Sequence, residues 1–257
     1  MKKLKLVAAI VAACAAMPAF AQTWQGTANY GVETVGPFNT YDFSSAGVML
    51  IDPVDSTTSN GYYQSFVTSH LLDDLKISSP LLSSNSYEIT VVMDFTSHIT
   101  SSNNFGKTFS IDGGSFALYL DTTPDRSFNS DSGFTDGIKI LSGTVVSGAS
   151  STVKFGNQEI GGSDVQLMVT SYDASVFSSA IGGGENIFTL RMNSPLDSSF
   201  LNPITSVQGH TYLPSTGDLK YAADANLILT PVPEPETYGM LLAGLGMIGA
   251  IARRRVR

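Results

Sequence analysis

Cysteine is all but missing from this chain: Cys14 is the single one, and it lies close to the N-terminus. Removal of a leader leaves a mature chain without thiols, which excludes disulfides, thiolate metal sites and thiol catalysis. Positive charge is scarce in the middle of the sequence. Between residues 22 and 230 there are 20 acidic side chains against 7 basic ones, a net charge near −13. A surface of that sign repels phosphate backbones, so no nucleic-acid partner is expected. Long helical periodicity is absent as well, since no stretch of 12 or more residues between the two ends carries apolar side chains at helical spacing. The three histidines, His70, His98 and His210, lack the H-x-x-x-H spacing that sets two imidazoles on one helix face. No G-x-S-x-G nucleophile elbow is present.

What the chain does have is two strongly marked ends. Met1 to Lys5 is basic, Leu6 to Met17 is apolar, and Ala19-Phe20-Ala21 precedes Gln22. This is a secretory signal peptide over residues 1–21, cut after Ala21 with Ala19 as the second small residue of the site. Val11-Ala12-Ala13-Cys14 also reads as a lipobox, so lipidation of Cys14 stands as an alternative. At the other end, Pro233-Glu234-Pro235 is followed by an apolar run from Thr237 to Ala252 and then by Arg253, Arg254 and Arg255. The prolines hold the start of this segment extended. At 1.5 Å per residue the apolar helix reaches about 24 Å, short of the roughly 30 Å hydrocarbon core, and the arginines remain on the cytoplasmic side with stems long enough to snorkel. Three segments result: signal peptide 1–21, ectodomain 22–230, and tail 231–257.

The tail resembles the PEP-CTERM sorting signal of exported proteins in exopolysaccharide-producing Gram-negative bacteria, on Pro233-Glu234-Pro235, the glycine-containing helix and the arginine cluster. The resemblance implies export by the Sec machinery and transient anchoring in the inner membrane by the C-terminal helix. It also implies recognition by exosortase, a membrane cysteine protease that cuts near the Pro-Glu-Pro and delivers the ectodomain to the cell surface or extracellular matrix.

Within the ectodomain, Tyr87, Ile89, Val91, Met93 and Phe95 alternate with Glu88, Thr90, Val92 and Asp94. Period-two alternation is the mark of a strand with one buried and one wet face. Similar short strands are expected at Tyr62–Val67, Phe116–Leu120, Ile138–Leu141, Val165–Val169, Ile187–Met192 and Leu227–Leu229, with one or two more before Gly47. Asn60-Gly61, Asp112-Gly113-Gly114, Asp136-Gly137, Gly161-Gly162, Gly182-Gly183-Gly184 and Gly217-Asp218 read as the turns, the first as a hairpin. His70 to Leu82 reads as a helical turn or a loop packed on the core. Many short strands with such turns predict an all-β ectodomain, an antiparallel β-sandwich of jelly-roll-like form.

The segments Phe116–Asp121 and Asp136–Thr144, with the strand leading into the tail, resemble a flocculation-associated subgroup of PEP-CTERM proteins. That implies a role in holding cells together within an exopolysaccharide matrix.

Three kinds of chemistry are conceivable. Asp121, Asp125, Asn129, Asp131 and Asp136 crowd one loop, and their oxygens suit Ca²⁺, although Ser127 stands where an EF-hand requires its first Asp. Asp94, Glu88 and Glu159 are candidates for a glycosidase carboxylate pair. Trp24, Tyr62, Tyr63, Tyr119, Tyr172 and Tyr212 could stack on sugar rings. The expected function is non-enzymatic: an exported surface or matrix protein of flocculation or biofilm, contacting exopolysaccharide or a cell-surface glycan. The alternatives are a carbohydrate-binding module or a secreted glycan hydrolase.

Overall fold

A computed structural model describes residues 24–155, 158–181, 186–193 and 199–229. The leader with Ala19 and Ala21, the Gly182–Gly184 turn, and the tail with Pro233, Glu234, Pro235, its apolar helix and Arg253, Arg254 and Arg255 lie outside the described residues.

The strands are β1 (Gly26–Asn29), β2 (Thr34–Phe38), β3 (Thr40–Phe43), β4 (Val48–Pro53), β5 (Thr58–Leu72), β6 (Leu75–Ile77), β7 (Glu88–Asn103), β8 (Gly106–Asp121), β9 (Ile138–Phe155), β10 (Gln158–Tyr172), β11 (Asn186–Asn193), β12 (Ser206–Val207), β13 (His210–Thr211) and β14 (Leu219–Ile228). The α-helix among the described residues is a single turn, α1 (Pro80–Ser83), begun by a proline whose missing N–H costs nothing there. The segment from His70 to Leu82 thus finishes β5, forms β6 and enters that turn.

β3 and β4 behave as one interrupted strand. β3 pairs with the far half of β5 and β4 with its near half, and both lie against β14 on their other side. From there the order is β5, β7, β8, β9, β10, β11 and β14, every pair antiparallel. The pairing of β11 with β14, from Ile187↔Ile228 to Asn193↔Ala222, returns the sheet to its start. A closed sheet has no open edge on which a second chain could add a strand. The antiparallel all-β class is the expected one, with opposite walls facing across a shared core. From β5 to β14 the ring follows chain order, with β6 set beside β5 and the β12–β13 hairpin outside the ring, so the connectivity is a meander and not the Greek-key crossing of a jelly roll.

Alternation builds that core. Ile89, Val91 and Met93 of β7 meet Leu118 of β8, Ile140 of β9 and Val165 and Leu167 of β10, all fully buried. Each such side chain contributes about 1.5–3 kcal/mol, and with no disulfide this burial carries the stability. Two of the expected turns are strand interior instead. Asn60-Gly61 lies within β5, because Gly61 sits opposite Phe95, whose ring occupies the space a Cβ would need, 2.3 Å from its position. Gly161-Gly162 lies within β10. Asp112-Gly113-Gly114 is a bulge, with Phe95 paired to Gly114, Thr96 to Asp112, and the extra residue Gly113 at φ 50°.

The ring has two different ends. At one, the β1–β2 hairpin and residues 173–181 cover the opening, tied by Asn29 N–H to the Val176 carbonyl and by Ser178 N–H to the Thr27 carbonyl. Beneath them Trp24, Tyr30, Phe38, Tyr41, His70 and Tyr87 form an aromatic plug. The chain enters and leaves the ring at this end, where Trp24 N–H donates to the Leu229 carbonyl at 3.0 Å. The other end is open.

Candidate functional site

The open end holds a cavity of about 210 Å³. Its deep part is formed by Phe95, Ile111 and Tyr221, all buried, on β7, β8 and β14. Inward-facing residues continue each strand toward the rim: Ser97 and Ile99 after Phe95, and Phe109 and Lys107 before Ile111. Hydroxyls of Ser59, Ser97, Ser150, Thr152 and Ser163 are spaced around this wall. Among the described residues, two charged side chains line the rim. The Asp55 carboxylate accepts from Thr57 N–H at 2.7 Å, Thr58 N–H at 2.8 Å and the Thr57 hydroxyl at 3.0 Å, which hold its pKa down to about 2 and fix it on its own turn. Lys107 is half-buried, and no described residue pairs with its ammonium. Sequence reading missed this cup. The alternation that is plain up to Phe95 continues inward as Ser97 and Ile99, and serine at an inward position hides the period.

The acidic loop after β8 has another role. Residues 121–137 fold back over the outer face of β5 and β7, where Thr90 donates to the Phe134 carbonyl at 2.8 Å and the Arg126 guanidinium lies 3.5 Å above the Phe66 ring. Asp121 and Asp125 come within 4.8 Å of each other and of Glu88. Asn129 and Asp136 are exposed elsewhere on the loop. Asp131 is turned away to accept from Gln208 N–H at 2.9 Å and Gly209 N–H at 2.7 Å, fastening the loop to the β12–β13 hairpin. Of the five oxygen ligands expected, two are therefore adjacent, and the third carboxylate beside them is Glu88. The positive charge facing Glu88 is that of Arg126, which pairs with it directly.

Glu88 and Asp94 share the outer face of β7 six residues apart. At about 3.3 Å per residue that separates them by roughly 20 Å, beyond the 5–9.5 Å of a glycosidase pair. The side chain of Glu159 lies outside the described residues. Thr58, His98 and Asp112 do come together, with Thr58 Oγ1 3.2 Å from His98 Nδ1 and His98 Nε2 3.6 Å from Asp112 Oδ2. They stand on the outer face of the sheet, the side opposite the cup, with Thr58 and His98 half-buried and Asp112 exposed.

Among the aromatics named for glycan contact, Trp24 and Tyr63 are core residues. Tyr62 is covered by His210, stacked on it at 3.6 Å between centroids, and Lys220 lies over the Tyr212 ring at 4.3 Å. Tyr119 and Tyr172 are half-buried on β8 and β10. Burial of the remaining histidine is complete. His70 Nε2 lies 2.7 Å from the Tyr30 hydroxyl, which lies 3.0 Å from that of Tyr41, and the apolar surroundings push the His70 pKa down to about 3. Its Nδ1 has no hydrogen-bond partner among the described residues.

A closed antiparallel sheet with a cup at one end, and with Trp24 and Leu229 side by side at the other, is the class that the geometry defines. Residues 231–256 match the family model of the PEP-CTERM protein-sorting motif, so the chain carries the C-terminal signal of an exported protein sorted by exosortase. No curated protein and no solved structure matches the chain.

Proposed function

We propose that this is an exported surface or extracellular-matrix protein that acts without catalysis in exopolysaccharide-associated cell aggregation. The sorting motif over residues 231–256 is the observation that supports this reading, because it is the C-terminal signal of an exported, sorted protein. A glycan contact is supported by the outer face of β7, β8 and β9. There Thr108 is paired across strands with Ser151, Ser110 with His98, and Thr100 Oγ1 lies 2.9 Å from Thr108 Oγ1. Such a row presents hydroxyls at the inter-strand spacing of about 4.8 Å, suited to many weak contacts along a polymer.

Deleting the gene in the native bacterium is expected to disperse the cells while polysaccharide is still made, with aggregation restored by a complementing copy. Unchanged aggregation with a shift in polysaccharide chain length would put a glycan hydrolase in place of this reading. Replacing Pro233, Glu234 and Pro235 together by alanine is expected to leave an uncut, membrane-held form with a folded ectodomain, seen as a larger band in the membrane fraction. Normal processing of that variant would mean the Pro-Glu-Pro is not what the protease reads.

A further inference from the structure

The geometry points to the cup at the open end of the ring as a binding site for a small amphipathic carboxylate, its chain on Phe95, Phe109 and Ile111 and its anionic group at Lys107. The inference is independent of the sorting route and of any polysaccharide contact. Three observations carry it.

The first is the lining. The deep part is apolar and aromatic, and the polar groups above it are hydroxyls. A sugar would need the planar amides, carboxylates or guanidinium groups that satisfy several ring hydroxyls at once, and among the described residues the cup holds none of these beyond Asp55, which accepts hydrogen bonds from its own turn. An apolar body leaves nothing unsatisfied there.

The second is charge. In a segment with a net charge near −13, Lys107 is the basic side chain among the described residues that line the cavity, and it has no described partner. Asp55 stays on its own turn, held there by Thr57 and Thr58. The flexible stem lets the ammonium reach a carboxylate at the mouth while its methylenes line the wall.

The third is size and access. An apolar cavity of roughly 150 Å³ holds a benzene ring, so one of about 210 Å³ takes a somewhat larger apolar group, such as a chain of about seven carbons, and leaves a carboxylate at the rim. The chain enters and leaves the ring at the plugged end, so the mouth opens at the end away from Trp24 and Leu229.

Octanoate is the probe that fits these dimensions. Titrated into the purified exported protein and followed by amide chemical shifts, it is expected to bind one to one, with the shifts centred on Phe109, Ile111 and Tyr221. Octan-1-ol, with the same chain and no charge, is expected to bind roughly tenfold more weakly, as loss of one charge-assisted contact implies. In Lys107→Met the two should bind alike, and Lys107→Glu should reverse their order. Both changes lie at the rim, and an unaltered melting temperature confirms that the fold is intact. Absence of octanoate binding at millimolar concentration, equal binding by wild type and Lys107→Met, or shifts away from the mouth would each overturn the assignment. Lys107-dependent binding of glucuronate in place of octanoate would overturn it too, in favour of a sugar acid.

Discussion

Replacing Arg126 by methionine is expected to lower the unfolding free energy by about 3–5 kcal/mol, the cost of leaving one member of a buried ion pair alone. The Glu88 side chain is 2% exposed and that of Arg126 20%. Glu88 also accepts from Asp125 N–H at 3.1 Å and Arg126 N–H at 3.2 Å, so it is the anchor by which the loop returns to β7. Methionine keeps the unbranched apolar stem but removes the charge together with the guanidinium that lies over Phe66. Adding Glu88→Gln should recover much of the loss, because the amide oxygen still accepts the two backbone hydrogen bonds without a buried charge. Urea denaturation measures both variants. A loss below about 1 kcal/mol for Arg126→Met would mean that the pair is dispensable and that the loop is held by its aromatic contacts.

Acid should destabilise the protein through His70 before it reaches most carboxylates. In the unfolded chain this histidine takes up a proton near pH 6.5, whereas in the folded plug its pKa is held down to about 3. The unfolded state therefore binds the extra proton throughout that window, and stability falls as pH drops from about 6.5 towards 3. One proton corresponds to a slope of at most about 1.4 kcal/mol per pH unit. His70→Gln keeps a group for the Tyr30 hydroxyl and does not titrate. Its unfolding free energy between pH 7 and 5 should lack that slope, whatever its stability at pH 7. An identical pH dependence in both proteins would place the acid sensitivity elsewhere.

The parts of the fold legible in the sequence are those where inward residues are apolar and outward ones polar. Tyr87 to Phe95 shows this, and the structure continues the same strand to Asn103. The continuation was hidden because Ser97 faces inward beside Ile99, and because Thr, Ser and Asn on the outer face look like loop composition. Asn60-Gly61 misled for a related reason. Its glycine makes room for a ring across the ladder, and a turn glycine and a packing glycine are the same letter. The acidic loop was recognisable as a special feature, but its partners were not. Glu88 precedes Asp125 and Gln208 follows Asp131 at separations that only the closed sheet brings together. Lys107 stood out in no pattern, since its meaning comes from the cavity wall around it.

The hydrogen bond between Trp24 and Leu229 has a mechanical consequence. It joins the first and last described segments of the ring, and just beyond Leu229 the chain continues toward the sorting motif. Tension applied from that side would run along β14, which is bonded to β3 and β4 on one flank and to β11 on the other. A load parallel to a strand stretches its cross-strand bonds together, in shear, where a perpendicular load would break them one after another. A pull along β14 would be resisted by the bonds on both of its flanks at once.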